Sequence, residues 1–162
     1  MGGNMTKNDF KKVTKEWLLT KRFQKKKETE YLCMLKDFDV SISFDKNRFS
    51  EKYHVHIGFR LKDLSTGWGH AMVVIPNEKY WKHIKMADGS ITVDDSSFYY
   101  EEWEREEYLE CLEKVYEIYI KPYFDLGVKY LKALAKDPFL NGNPYFNQSF
   151  VHPNAVEVIF KM

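Results

Sequence analysis

Apolar residues recur along this chain with two different periods, and the period switches twice. Phe10, Val13, Trp17 and Leu18 follow the i, i+3, i+7, i+8 spacing of one helical stripe, while Lys11, Lys12 and Lys15 lie elsewhere on the wheel. A helix is expected from about Lys7 to Lys21, with Thr6 or Asn8 able to cap its free amides. The period then drops to two. Tyr31, Cys33 and Leu35 alternate with polar neighbours, as do Phe38, Val40, Ile42 and Phe44, and then Tyr53, Val55, Ile57, Phe59 and Leu61. Polar breaks at Lys36-Asp37 and at Asp45-Lys46-Asn47-Arg48 suit hairpin turns. A shorter strand is expected around Phe23–Lys27, and a further long one at Gly69–Ile75, stopped by Pro76-Asn77. Connections this short favour an antiparallel meander, because parallel strands need long crossovers.

From Glu101 to about Ala135 the helical period returns. Leu109, Leu112, Val115, Tyr116, Tyr119 and Tyr123 form a stripe in steps of three and four, with Glu106, Glu110, Glu113 and Glu117 opposite. Pro122 has no amide hydrogen and should kink this helix or split it in two. Asp137-Pro138 should end it, and Asn141-Gly142-Asn143-Pro144 is turn chemistry. The pattern at Ala155–Phe160 fits a last strand or a short helix equally well. With strands in one block and helices at both ends, the chain reads as α+β. The expected architecture is an N-terminal helix, an antiparallel sheet of four to five strands in meander order, and long C-terminal helices packed on one sheet face. No repeat, low-complexity tract or linker interrupts the 162 residues, so a single globular domain over 1–162 is expected.

Composition changes this picture in two ways. Twelve Phe, 11 Tyr and four Trp promise a bulky core with rings to spare for a surface. The net charge of +1 conceals a segregation: residues 1–27 carry nine basic side chains against two acidic, and residues 94–117 carry ten acidic against two basic. The longest apolar run, Ala71–Ile75, is far short of the ~20 residues a membrane helix needs, and MGGNMTKNDF lacks a signal-peptide core. A cytoplasmic protein with no membrane partner is expected. Cys33 and Cys111 stand far apart and in no paired spacing, which reads as two buried free thiols.

Candidate chemistry is sparse. His54 and His56 project from one strand face beside Arg60, where two imidazoles could share an ion or a ligand. A third ligand would have to come from Asp37, Asp39, Glu51 or His70, and no spacing selects one, so neither a metal nor another cofactor is expected. The glutamate row lacks the Glu-x-x-His pairing of di-iron bundles and reads as a solvated face. No nucleophile elbow, phosphate loop, dinucleotide fingerprint or HExxH motif occurs. Lysines crowd between Lys11 and Lys27 with Trp17 and Phe23 among them, but Trp17 belongs to the apolar stripe, so nucleic acid is not the expected partner. Phe139, Tyr145 and Phe146 fall in an irregular segment with no periodic face to hide on, the setting of interface anchors.

The N-terminal helix, the run Arg22-Phe23-Gln24-Lys25-Lys26-Lys27 leading to Tyr31, and the strand pair Val40–Phe44 and Tyr53–Phe59 with its His56-Ile57-Gly58 resemble an uncharacterised bacterial family, domain of unknown function 4304. The resemblance covers residues 7–62 and departs in carrying Arg22 where a glycine is expected before the Phe. It implies an α+β cytoplasmic protein without an assigned activity, so it transfers no catalytic residue. The leading expectation is a non-enzymatic protein-binding module, of the toxin-neutralising or immunity kind. It would meet a partner, basic where it faces Glu106, Glu110, Glu113 and Glu117, and would use Phe139, Tyr145 and Phe146 as anchors. The alternative is a small enzyme or a ligand- or metal-binding protein using the polar sheet face around His54, His56 and Arg60.

Overall fold

The first helix, α1 (Lys7–Thr20), starts where its sequence provides a capping box. The Asp9 amide donates to Thr6 Oγ1 at 3.2 Å, and the Thr6 amide donates to Asp9 Oδ2 at 3.1 Å. Its buried side is Phe10, Val13, Thr14, Trp17 and Leu18, the expected stripe with Thr14 added. The helix closes with a Schellman turn: the Phe23 amide reaches back to the Leu18 carbonyl and the Arg22 amide to that of Leu19. Arg22 occupies the left-handed position of this turn, with φ of 68°.

This arrangement comes from a computed structural model, which describes residues 3–62, 68–137, 140 and 154–162. Five strands follow α1 in meander order: β1 (Gln24–Lys27), β2 (Glu30–Met34), β3 (Phe38–Lys46), β4 (Lys52–Leu61) and β5 (Trp68–Met72). All pair antiparallel, and the register sets Val40 opposite Phe59, Ile42 opposite Ile57 and Phe44 opposite Val55, so the alternating apolar residues share one face. The fifth strand is shorter than its apolar pattern, although Val73 and Ile75 stay buried and the Val73 amide still donates to the Val55 carbonyl.

Three short strands lie outside the expected set. β6 (Lys82–Lys85) and β7 (Ile91–Asp94) form a separate hairpin, and β8 (Ser97–Tyr99) returns to pair with the start of β4. The same edge of β4 is thus shared, with β8 along Lys52–His54 and β5 along His56–Arg60.

The C-terminal helical region begins at α2 (Arg105–Val115), runs through a wide π-helical turn at Tyr116–Ile120, and continues as α3 (Lys121–Leu126) and α4 (Val128–Lys136). Pro122 sits in the first turn of α3. Its ring would press on the carbonyl four residues back, which the widened turn moves aside. Gly127, with φ of 57°, separates α3 from α4. Residues Ala155–Lys161 form α5, a helix and not a strand.

Helices from both ends cover the same sheet face. Phe10 of α1 packs on Phe44, Tyr53 and Tyr108, and Tyr123 of α3 packs on Phe38 and Phe59. Thr14 donates to the Phe10 carbonyl, leaving its oxygen to accept from Tyr108, so α1 and α2 are joined by a fully buried hydroxyl pair 2.6 Å apart. Trp103 stacks on Tyr80 at 3.6 Å beneath this layer. Among the described residues, no helix is long and apolar enough to cross a membrane.

Candidate functional site

Three surfaces bring chemistry-bearing residues together. On the polar side of the sheet, β4 carries His54, His56 and Arg60, each part-exposed. A strand advances about 3.3 Å per residue, so these three stretch along ~20 Å and meet different neighbours. His54 Nδ1 lies 3.3 Å from Ser97 Oγ on β8. His56 Nε2 lies 3.5 Å from Asp45 Oδ2, and its ring centroid is 5.2 Å from that of His70 on β5. Arg60 pairs in register with Asp39, whose Oδ1 is 3.7 Å from Lys62 Nζ. Burial pushes the pKa values of His56 and His70 down, outweighing the pull of Asp45, so both rings are neutral at pH 7. His56 Nδ1 is buried without a hydrogen-bond partner. Among the described residues, no three His, Cys, Asp or Glu side chains are grouped so as to hold a metal ion.

The second surface is the outer side of α2. Glu106, Glu110, Glu113 and Glu117 are all exposed, above a buried row of Tyr108, Cys111, Leu112 and Val115. Two of the four are engaged. Trp17 Nε1 donates to Glu113 Oε1 at 2.8 Å and Lys21 Nζ to Oε2 at 3.0 Å; burial raises the Glu113 pKa, but these two donors outweigh it and hold it low. Glu117 pairs with Lys121 one turn on, at 3.5 Å. Glu106 and Glu110 form no ion pair among the described residues. Neighbouring Glu107 faces the other way and accepts from the Tyr80 hydroxyl at 2.6 Å and from Lys79. Sequence spacing could not reveal Glu113's attachment, since its indole donor lies 96 residues away.

The third surface is a cleft of about 300 Å³ between α1 and the β1–β2 hairpin. Its floor is aromatic: Phe10, Tyr31, Phe44 and Tyr53. Lys11, Lys12 and Lys15 line one side from α1, and Lys25 of β1 lines the other, where it holds Glu28 at 3.0 Å. The lysine cluster was legible in the sequence, but its rings were not. Trp17 and Phe23, which lie among these lysines in sequence, do not line the cleft, which takes its rings from the core side of α1 and three strands. Phe139, Tyr145 and Phe146, the expected interface anchors, lie outside the described residues. Compared with protein-family models, curated proteins and solved structures, the chain matches none.

Proposed function

We propose that this chain is a non-enzymatic protein-binding module of the bacterial cytoplasm, of the toxin-neutralising kind, which presents the outer side of α2 to a basic surface of its partner. One observation carries this reading: Glu106 and Glu110 stand exposed on consecutive turns, without an ion pair among the described residues, on the side of α2 away from the buried Tyr108, Cys111, Leu112 and Val115. Like charges at i, i+4 repel by a few tenths of a kcal/mol. Surface ion pairs contribute only ~0–1 kcal/mol each, so such a row adds nothing to the fold and is better explained by an external cation-bearing surface. The test is capture from a bacterial extract by the native chain and by a Glu106→Lys/Glu110→Lys variant, at low salt and at 0.5 M salt. A protein retained by the native chain at low salt, and lost with charge reversal or added salt, is the expected result. Identical sets retained by both chains would sink the reading.

A second reading, a ligand or metal site on the polar sheet face, draws on the neighbouring rings of His56 and His70 and on the unbonded, buried His56 Nδ1; a metal there would need further ligands from outside the described residues. His54 would border such a site from the same strand, while Arg60 lies further along it, opposite Asp39. Stoichiometric zinc or iron in the purified protein that His54→Ala or His56→Ala abolishes would move this reading ahead of the first.

A further inference from the structure

We propose that the cleft between α1 and the β1–β2 hairpin is a binding site for a small molecule that joins a flat apolar body to one anionic group, of the aromatic carboxylate class. This site shares no residue with the α2 surface and stands or falls apart from it. The volume, about 300 Å³, is at the lower bound of ligand-sized clefts. The floor selects the body. Phe10 meets Phe44 edge-on at 6.2 Å and lies 4.8 Å from Tyr53; the four floor rings are packed into the core and only 2–5% exposed, so they close the bottom of the cleft as a firm apolar surface.

The rim selects the charge. Four lysines, Lys11, Lys12, Lys15 and Lys25, line the cleft against the single acidic residue Glu28. Lys11 and Lys15 are one turn apart on the same helix, an arrangement that repels unless an anion lies between them and the hairpin. Glu28 already shows how a carboxylate is received here. The hydrogen bond from Lys25 holds its pKa low, with further help from the charges of Lys11 and Lys15. Tyr31 lies close enough to feel the charges of both Lys25 and Glu28, and burial keeps its hydroxyl protonated, so it adds a neutral donor near the rim.

The probe is 2-naphthoate, titrated into the full chain and followed by NMR, with 2-naphthamide as the ring without the charge. Saturable shifts in the Tyr31 and Phe44 resonances are expected. Naphthoate should bind about tenfold more tightly than the amide, a gain expected of charge-assisted hydrogen bonds. A Lys11→Gln/Lys15→Gln variant, altered only at exposed positions and checked by its melting temperature, should erase that gain, as should 0.5 M salt. Glu28→Gln should tighten binding by removing the resident carboxylate, and Lys129→Gln, remote from the cleft, should leave it unchanged. Equal affinity for acid and amide, no saturation, or full naphthoate affinity in the double lysine variant would overturn the proposal.

Discussion

Arg22 carries the clearest local cost in the chain. A side chain at φ of 68° crowds its own backbone, and natural helices usually place glycine at this position of a Schellman turn. The residue's compensation is modest: its guanidinium carbon lies 5.9 Å from the Phe124 ring centroid. Arg22→Gly should therefore stabilise the fold by about 0.5–1 kcal/mol, less than the full strain because glycine also loosens the unfolded chain. A rise in the urea midpoint would show it; a fall would mean the Phe124 contact outweighs the strain. Other residue-scale features were legible for the same reason, that they depend on near neighbours: the Thr6 cap, the inward rows of β3 and β4, and the two buried thiols Cys33 and Cys111. Glu113 and Tyr108 were not, because their partners Trp17 and Thr14 approach from the far end of the chain.

Among the elements, α2 shows what a periodic pattern can and cannot give. Its outer side follows the glutamate spacing, but its buried side is centred on Tyr108, Cys111 and Leu112, with Leu109 and Tyr116 only half-covered. The helix is flanked by α1 as well as by the layer beneath it, as the Thr14 and Trp17 contacts show, and two neighbours bury a wider arc than one stripe predicts. Leu112, 1% exposed, should cost about 2–5 kcal/mol when cut to alanine. Glu110→Ala, on the solvent side, should stay within about 0.5 kcal/mol. Equal losses in denaturant melts would mean that α2 is rotated from its described orientation. The β6–β7 hairpin escaped the sequence reading because its strands are only four residues long: Ile91 and Val93 alternate with polar neighbours, but too briefly to stand out, and Ile84 pairs with Thr92 on the other face.

At the scale of the whole molecule, the titration of the polar sheet face should govern stability near neutral pH. His56 and His70 are held below the ordinary histidine value by burial, His56 also by the nearby charge of His54 and His70 by that of His56. Above about pH 7 both are neutral in the folded and the unfolded chain, and they contribute no slope. As pH falls through about 6.5, the unfolded chain takes up protons that the fold resists, so stability should decline until the lowered folded values are passed. The urea midpoint should drop between pH 7 and 5.5, and His56→Gln should flatten that drop. An equally steep profile in the variant would assign the slope to other groups. The α+β class, the meander and the helices on one sheet face were all readable at this scale, since each follows from long periodic runs. The cleft was not, because it exists only where α1 and the hairpin meet.

The shared edge of β4 also orders events in time. Within β1 to β5 each strand pairs with its sequence neighbours, so that part of the sheet closes through short loops and can form early, while the chain is still leaving the ribosome. The β8 rung must wait until β5, the Glu78–Tyr80 turn and the β6–β7 hairpin have been made, and the rings of Tyr108 and Tyr123 emerge later still. Throughout that interval the nascent sheet shows Phe38, Phe59 and their neighbours to solvent without their C-terminal cover. The interval between translating β5 and translating α3 is therefore when this chain most needs a chaperone, and when a stalled ribosome would leave it most prone to aggregate.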